Sequence, residues 1–446
     1  MTQAPSRKWL SPGVGAIGAS SFFSDAGHEV TTSVLPTFLT GTLGASAAAL
    51  GVVDGISDAL VGVMKLVGGT IANDPVRRAR TASGGYLGTG LATGAIGAAA
   101  TVWQAGALRA IAWLSRGLRS PARDALLSSL SPEWAVGRAF GFERAGDNLG
   151  AVVGPLLAAG LVAWLGVRPA LYLAAIPGLF AALAIIVAAR ESRRRVDSAG
   201  WSGLRRLDLG ALRDAGMLRA LGLVAMFKFG NVATTLLILR STQLLTSPQR
   251  SLAAATSVAI LIYAGHNVVA TVASVTAGRW YDRAVPRTVF ATGAAVYVIA
   301  YAVFATGPHT TVVVALGFAL AGAGIGLAEP TQSAVVSQLL PDNLRGRGFG
   351  ALGAVQATGA MVATVVAGLL YTVASPAVAF GYAAAWMTVA VILSLACCVR
   401  RDVADLDIPT QPATGWMNAT AVTPIGPRPF RSFAHSALVT SAVRPR

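Results

Sequence analysis

The 446-residue chain predicts an all-α polytopic membrane protein, with twelve transmembrane helices arranged as two six-helix bundles. Three observations predict it. Apolar runs of membrane-spanning length recur along most of the chain. The apolar fraction is 54%, the charged fraction only 12% and the mean hydropathy +0.62; a water-soluble domain carries about 25% charged residues. Finally, several features recur at a fixed spacing of 209 residues. The 50 glycines and the alanine-rich runs suit close helix contact in lipid, where small residues let backbones approach.

Residues 1–13 read as a short cytoplasmic N-terminus. Arg7 and Lys8 before an apolar stretch have the look of a signal peptide, but Asp25 and Glu29 interrupt that stretch and it continues to Leu39, so it reads as a retained first span. The first bundle, 14–189, holds spans at 14–39, 47–72, 81–101, 104–128, 138–164 and 168–189; Trp103-Gln104 is the only polar hint between its third and fourth spans. A linker at 190–216 follows. Its Trp201, Leu204, Leu207, Ala211 and Leu212 fall on one helical face, which suits a short helix lying on the inner leaflet. The second bundle, 217–399, holds spans at 217–240, 251–277, 286–306, 310–338, 346–373 and 376–399. The tail, 400–446, is polar and proline-containing and reads as disordered and cytoplasmic.

The formal charge of +16 would suggest nucleic acid in a soluble protein. Here the arginines cluster in short connections, which is a topology signal instead. Arg77, Arg78 and Arg80 follow span 2; Arg279, Arg283 and Arg287 follow span 8; Arg345 and Arg347 precede span 11. The connections at 40–46, 307–309 and 374–375 carry no lysine or arginine. Both termini are therefore expected on the cytoplasmic side of the membrane, with lipid and not nucleic acid as partner. Cys397 and Cys398 are adjacent and define neither a disulfide framework nor a metal-site spacing. No glycine-rich loop with a Lys-Ser/Thr ending is present, so an ATP-driven pump is disfavoured. No cofactor and no enzymatic activity are expected.

The repeat centres on a basic turn. Gly69-Thr70-Ile71-Ala72-Asn73-Asp74-Pro75-Val76-Arg77-Arg78 maps onto Gly278-Arg279-Trp280-Tyr281-Asp282-Arg283-Ala284-Val285-Pro286-Arg287. At the same spacing Pro132 maps to Pro341, Arg138 to Arg347, Phe140 to Phe349 and Gly141 to Gly350. Six helices per repeat is an even number, so the halves face the same way about an axis along the membrane normal, as alternating access by rocking bundles requires.

These turns resemble the loop signature of the major facilitator superfamily of secondary transporters, over about residues 14–399. Gly69 and Arg77 match it; Asn73 stands at its usual Asp, with Asp74 beside it, and Val76 at its second Gly. The second copy keeps Gly278, Asp282, Arg283 and Arg287, with Pro286 at the second Gly. The resemblance implies that these residues brace the cytoplasmic side between conformations, less firmly in the first copy. Gly141, Gly150, Gly154 and Pro155 resemble the helix 5 signature of antiporters in the superfamily, with Ala158 and Ala159 where two glycines often occur. Glycine-rich packing alone is the competing reading of that helix. The first half is also similar to a bacterial group marked by Asp25 and Glu29, by Gly55-Ile56-Ser57-Asp58-Ala59 with Lys65, and by Arg119-Ser120-Pro121-Ala122-Arg123-Asp124-Ala125-Leu126. That likeness implies no particular substrate.

Charges within spans are costly and point to a bundle interior or a water-filled cavity. Asp25 and Glu29 are one helical turn apart and share a face, as a proton-carrying or cation-binding pair would, or as a structural pair held by helix 4 arginines. Arg109 and Arg116 share a face of helix 4, and the resemblance links Arg109 to proton coupling. Asp58 completes the coupling candidates. Candidates for the substrate cavity are Asp54, Lys65, Lys228, Asn231, His266, Asn267, Glu329 and Gln332. Glu329 precedes Pro330, which suggests a local break in helix 10; His266 reads equally well as a satisfied core histidine.

The expected function is a monomeric, proton-coupled secondary transporter that exports small amphipathic or cationic molecules. The alternative is a carrier of an anionic solute such as a carboxylate or metal chelate, supported by the basic helix 4. A metal-ion transporter would need converging ligands, and His266 is the one helical histidine weighed for that role. A non-transporting receptor or scaffold is the reading from another class.

Overall fold

The computed structural model describes residues 8–46, 60–196, 210, 216–307 and 310–396, all within the unit Met1–Arg400. Asp54, Asp58, the face proposed for Trp201 to Leu212, the two cysteines and the tail lie outside the described residues.

Twelve helices are described. They are α1 (Pro12–Thr37, continued by a π-turn Phe38–Thr42), α2 (Leu60–Ile71), α3 (Pro75–Ala95), α4 (Val102–Leu130), α5 (Val136–Leu165) and α6 (Val167–Leu173 and Ala175–Val196). After them come α7 (Met217–Gly230 and Thr234–Leu245), α8 (Leu252–Tyr281), α9 (Pro286–Thr306), α10 (Thr311–Leu339), α11 (Asp342–Val373) and α12 (Pro376–Ala396). Eight of them, α5 to α12, are long and apolar enough to cross a membrane. Arginines dilute the hydropathy of α4, and glycine, serine and threonine that of α1 and α3.

Local chemistry explains where the boundaries depart from expectation. The α3 helix starts at Pro75, six residues earlier than expected, because Asp74 accepts from the Val76 and Arg77 N–H groups and Pro75 is preorganised at the first helical position. Arg77, Arg78 and Arg80 are thus helical, not loop, residues. A capping box of Thr101 and Gln104 separates α3 from α4. The α8 helix runs to Tyr281, so Gly278–Tyr281 is helix and the turn itself is shorter than expected. The α10 helix is continuous through Pro330; the break expected beside Glu329 is absent, and α7 is the helix that breaks, at residues 231–233. The α6 helix extends past 189 to Val196, and Glu191 near its end accepts from Gly13 N–H and Ser11 Oγ at the start of α1.

The two halves repeat each other's packing. In the first, α1 packs on α5 and α6, and α3 on α4 and α6; in the second, α7 packs on α11 and α12, and α9 on α10 and α12. Across the halves, α5 meets α8 and α10, while α11 meets α2 and α4. Glycines set these crossings: a Cβ on Gly278 would strike the Gly137 carbonyl, and one on Gly69 the Gly346 carbonyl, its counterpart 209 residues on. Ser128 hydrogen-bonds its own repeat partner Ser337, and Phe140 packs against its partner Phe349 at 5.7 Å between centroids.

The repeated turns clasp the opposite half. Asp282 accepts from the N–H groups of Gly137 (2.7 Å) and Arg138 (3.1 Å) in the first turn of α5, where helix N–H groups lack internal partners, and pairs with Arg138 at 3.4 Å. Burial pushes the Asp282 carboxyl up, against the pull of those donors. Asn73 makes the equivalent contact, accepting from Arg347 N–H at 2.9 Å without an ion pair. Fully buried Arg78 supplies the charge on that side, at 3.0 Å from Asp342. Arg77, Arg283 and Arg287 are exposed and outside these clasps, although Arg77 pairs with Asp74 on its own helix. Among the described residues, the polar links between the halves lie from this arginine-rich end to mid-helix.

Asp282→Ala is expected to cost about 1–2 kcal/mol, as loss of a helix cap does, and to shift the halves apart by about tenfold in population. Asp282→Asn, which imitates Asn73, is expected to cost less. Thiol labelling of a cysteine at buried Ser274, with Cys397 and Cys398 replaced by serine, measures the opening; equal labelling rates in D282A and the parent contradict it.

Candidate functional site

Six helices bring their charges together between the halves: α1, α2, α4, α5, α7 and α10. Helix α4 joins them, since its Arg116, Arg119, Arg123 and Asp124 all line one cavity. Arg116 holds Asp25 of α1 at 2.6 Å. Arg119, almost fully buried, donates to Ser24 Oγ at 2.6 Å and lies 3.8 Å from the centroid of the Tyr86 ring. Arg123 pairs with Glu143 of α5 at 2.7 Å and with Asp124 at 2.9 Å, and it donates to Ser21. The helix 1 acids are thus divided: Asp25 is saturated by helix 4, while Glu29, one turn on, has only His28 nearby at 3.9 Å.

Small residues on α5 make room for this. A Cβ on Gly150 would sit 2.9 Å from Asp25 Cβ, and one on Gly154 would overlap Glu29 Cβ, so the helix 5 signature, with Pro155 inside an unbroken helix, is a close packing face beneath the two acids.

The network continues into the second half. Arg144 pairs with Asp147 at 3.2 Å and approaches Glu143 and, across the halves, Glu329, each at 3.8 Å. Glu329 holds Lys228 at 2.8 Å, and Lys228 donates to Asn231, which donates to Tyr297. The Gln356 amide donates to Gln332 at 2.7 Å. A cavity of about 110 Å³ lies against this network, lined among others by Lys65, Arg116, Arg119, Arg123, Arg144, Asp124 and Asp147.

Other candidates stand apart. His266 is buried and shares a hydrogen bond with the Phe318 carbonyl at 2.9 Å, which makes it a satisfied core histidine; Asn267 is buried beside it on α8. Arg109 lies 4.0 Å over the Trp113 ring, about two turns of α4 before Arg116. His28 was overlooked in favour of His266, yet its ring lies tilted against the same Trp113, 4.3 Å between centroids. Arg144 was also overlooked; its signal was the neighbouring Glu143 and Asp147, two acids flanking one base within about a helical turn.

Removing Arg123 strands Glu143 in the interior. Arg123→Ala is therefore expected to destabilise by about 3–5 kcal/mol, as breaking a buried pair does. Arg77→Ala, on a side chain 62% exposed, should stay within about 0.5 kcal/mol. Reversible unfolding in mixed micelles compares them, and similar losses would contradict the assignment of Arg123 to the buried framework.

A family model described as the Major Facilitator Superfamily matches residues 17–245 and again 221–443. An uncharacterised protein of Mycobacterium tuberculosis is 29% identical over 348 residues, covering 76% of this chain and 82% of its own. An MFS-type transporter of Methanocaldococcus jannaschii is 24% identical over 376 residues, 84% and 92% of the two chains. Among solved structures, the human organic anion transporter TETRAN aligns with a TM-score of 0.64 at 16% identity over 88% of this chain and 100% of its own. A bacterial homologue of the iron transporter ferroportin, in an outward-facing state, gives 0.67 at 14% identity over 87% and 100%. At such identities the structures show a shared fold. The duplicated packing and the two family matches have one conclusion: the chain belongs to the Major Facilitator Superfamily of secondary transporters.

Proposed function

We propose that the chain is a proton-linked carrier of a small anionic solute, with all twelve helices crossing a bacterial inner membrane as two six-helix bundles. One observation carries the choice of solute. The cavity wall presents five cations (Lys65, Arg116, Arg119, Arg123 and Arg144) against two acids, Asp124 and Asp147. A cationic solute would meet net positive charge there, and Asp25, a candidate for cation binding, is already neutralised by Arg116. The positive charge thus favours the alternative, a carboxylate or similar anion. The organic anion transporter among the structural neighbours agrees with this reading but does not carry it.

The clasped, arginine-rich end is cytoplasmic on this reading, by the bias of basic residues toward that side. The halves are then closed toward the cytoplasm, and the solute enters from the other face. Opening requires Asp282 and Asn73 to release α5 and α11, and Arg78 to release Asp342. Glu29 is the proton carrier. It lies in the interior with no lysine or arginine within 4 Å among the described residues, so neutralising it removes a charge that no fixed cation compensates; Asp25 would have to give up Arg116 first.

Proteoliposome flux under an imposed pH gradient, compared across labelled carboxylates and organic cations, tests this. Carboxylate accumulation should follow the gradient, and Glu29→Gln should reduce gradient-driven accumulation by about tenfold or more, the effect of removing roughly 1.4 kcal/mol of coupling, while leaving solute exchange in place. Flux indifferent to the gradient removes the proton from the mechanism, and flux of cations alone removes the anion.

A further inference from the structure

The five cations on the cavity wall are not equivalent. Three are committed to protein carboxylates: Arg116 to Asp25 at 2.6 Å, Arg123 to Glu143 and Asp124 at 2.7 and 2.9 Å, and Arg144 to Asp147 at 3.2 Å. The other two have no carboxylate within 4 Å among the described residues. Arg119 is 97% buried by its 3% exposure, and its contacts are a serine hydroxyl and the face of Tyr86, neither of which cancels its charge; its Nε is buried without an acceptor. Lys65 makes no hydrogen bond or ion pair among the described residues. Its stem runs over α11 where Gly353 leaves space, since a Cβ there would lie 2.6 Å from Lys65 Cδ. Position 353 is the repeat counterpart of Arg144, so the second half has a gap where the first has an arginine, and a lysine of α2 occupies it.

We infer that Lys65 and Arg119 form a two-point receptor for a solute carrying two negative charges, such as a small dicarboxylate or sulfate. The inference rests on the anionic reading above and sharpens it. A charge held inside a membrane protein with nothing opposite it is expensive, and two such charges on one cavity wall, one from α2 and one from α4, call for a ligand with a charge for each. Arg119 suits a planar or tetrahedral oxyanion, which its fork can grip at two points, whereas Lys65 is a mobile point charge at the end of a flexible stem. The committed arginines would instead have to break an ion pair to bind the solute. Glu29 is an acid of the same half with no lysine or arginine within 4 Å among the described residues; once it takes a proton, the two cations remain as uncompensated charge, so proton and dianion bind cooperatively without touching.

Thermal stabilisation of the purified full-length protein by malonate, succinate and sulfate, against acetate and tetraethylammonium, tests the receptor, because a ligand that binds only the folded carrier raises its melting temperature with concentration. The dianions are expected to act at about tenfold lower concentration than acetate. Lys65→Gln and Arg119→Gln should each remove that preference and leave the acetate response, whereas Lys65→Arg should keep it. Gly353→Ala should weaken it by displacing the lysine stem with no change of charge. Unliganded melting and gel-filtration profiles check folding, and the three substitutions at 65 and 353 decide the matter should Arg119→Gln not fold. Equal responses to acetate and the dianions, the absence of any response included, overturn the receptor, as does a preference that survives Lys65→Gln. If acetate is bound as well as the dianions, only the two-charge inference falls; if tetraethylammonium alone stabilises, the anionic reading falls with it.

Discussion

A guanidinium keeps its proton under any condition a cell offers, so an arginine inside a membrane protein has to be answered by something other than deprotonation. Helix α4 carries Arg109, Arg116, Arg119 and Arg123 within its length, and the arrangement around it follows from answering them. Asp25 comes from α1, Glu143 from α5, Ser21 and Ser24 from α1 again and the Tyr86 ring from α3. Each answer ties another helix to α4. The charges are therefore part of the packing as well as of the site, and only the cations left without a carboxylate are available to a ligand.

How much of this was legible depended on the range of the interaction. Helix number, the 209-residue repeat and most span limits followed from local hydropathy and spacing, and the structure bears out the all-helical fold. Boundaries slipped where one capping residue outweighed hydropathy, as Asp74 did in starting α3 early, and where proline beside Glu329 was read as a break in a helix that tolerates it. The pairing of Asp25 with a helix 4 arginine was open to sequence reasoning as an alternative, but the choice of Arg116 over Arg109 was not. That choice depends on how α1 and α4 cross, which no local pattern encodes. Arg78 was legible as a loop charge and turned out to be wholly buried against Asp342, 264 residues away in the chain.

The repeat copies geometry more faithfully than chemistry. The same helix pairs meet in both halves, yet nearly all the interior charge belongs to the first. Where the first half places Arg123 and Asp147, the second places Gln332 and Gln356, joined by a neutral hydrogen bond. The second half contributes instead a buried chain of aromatics, with Phe227, Tyr297, Tyr301, Phe380 and Phe304 in successive ring contact. A packed aromatic core in one half and an ionic interior in the other give a carrier one bundle that holds its shape and one that responds to charge.

The contact of Ser128 with Ser337, each the other's image in the repeat, is what a two-fold axis imposes on a homodimer, where a residue on the axis meets itself. This chain is in that sense a dimer with its subunits joined end to end. In a true dimer every substitution is made twice, so an axis position must suit both copies at once and neither side can specialise. Joining the copies lifts that restriction, because each position is then encoded separately in the two halves. Asp282 and Asn73, Arg144 and Gly353 record the freedom; Ser128 and Ser337, still alike, keep the contact of a residue with its own image.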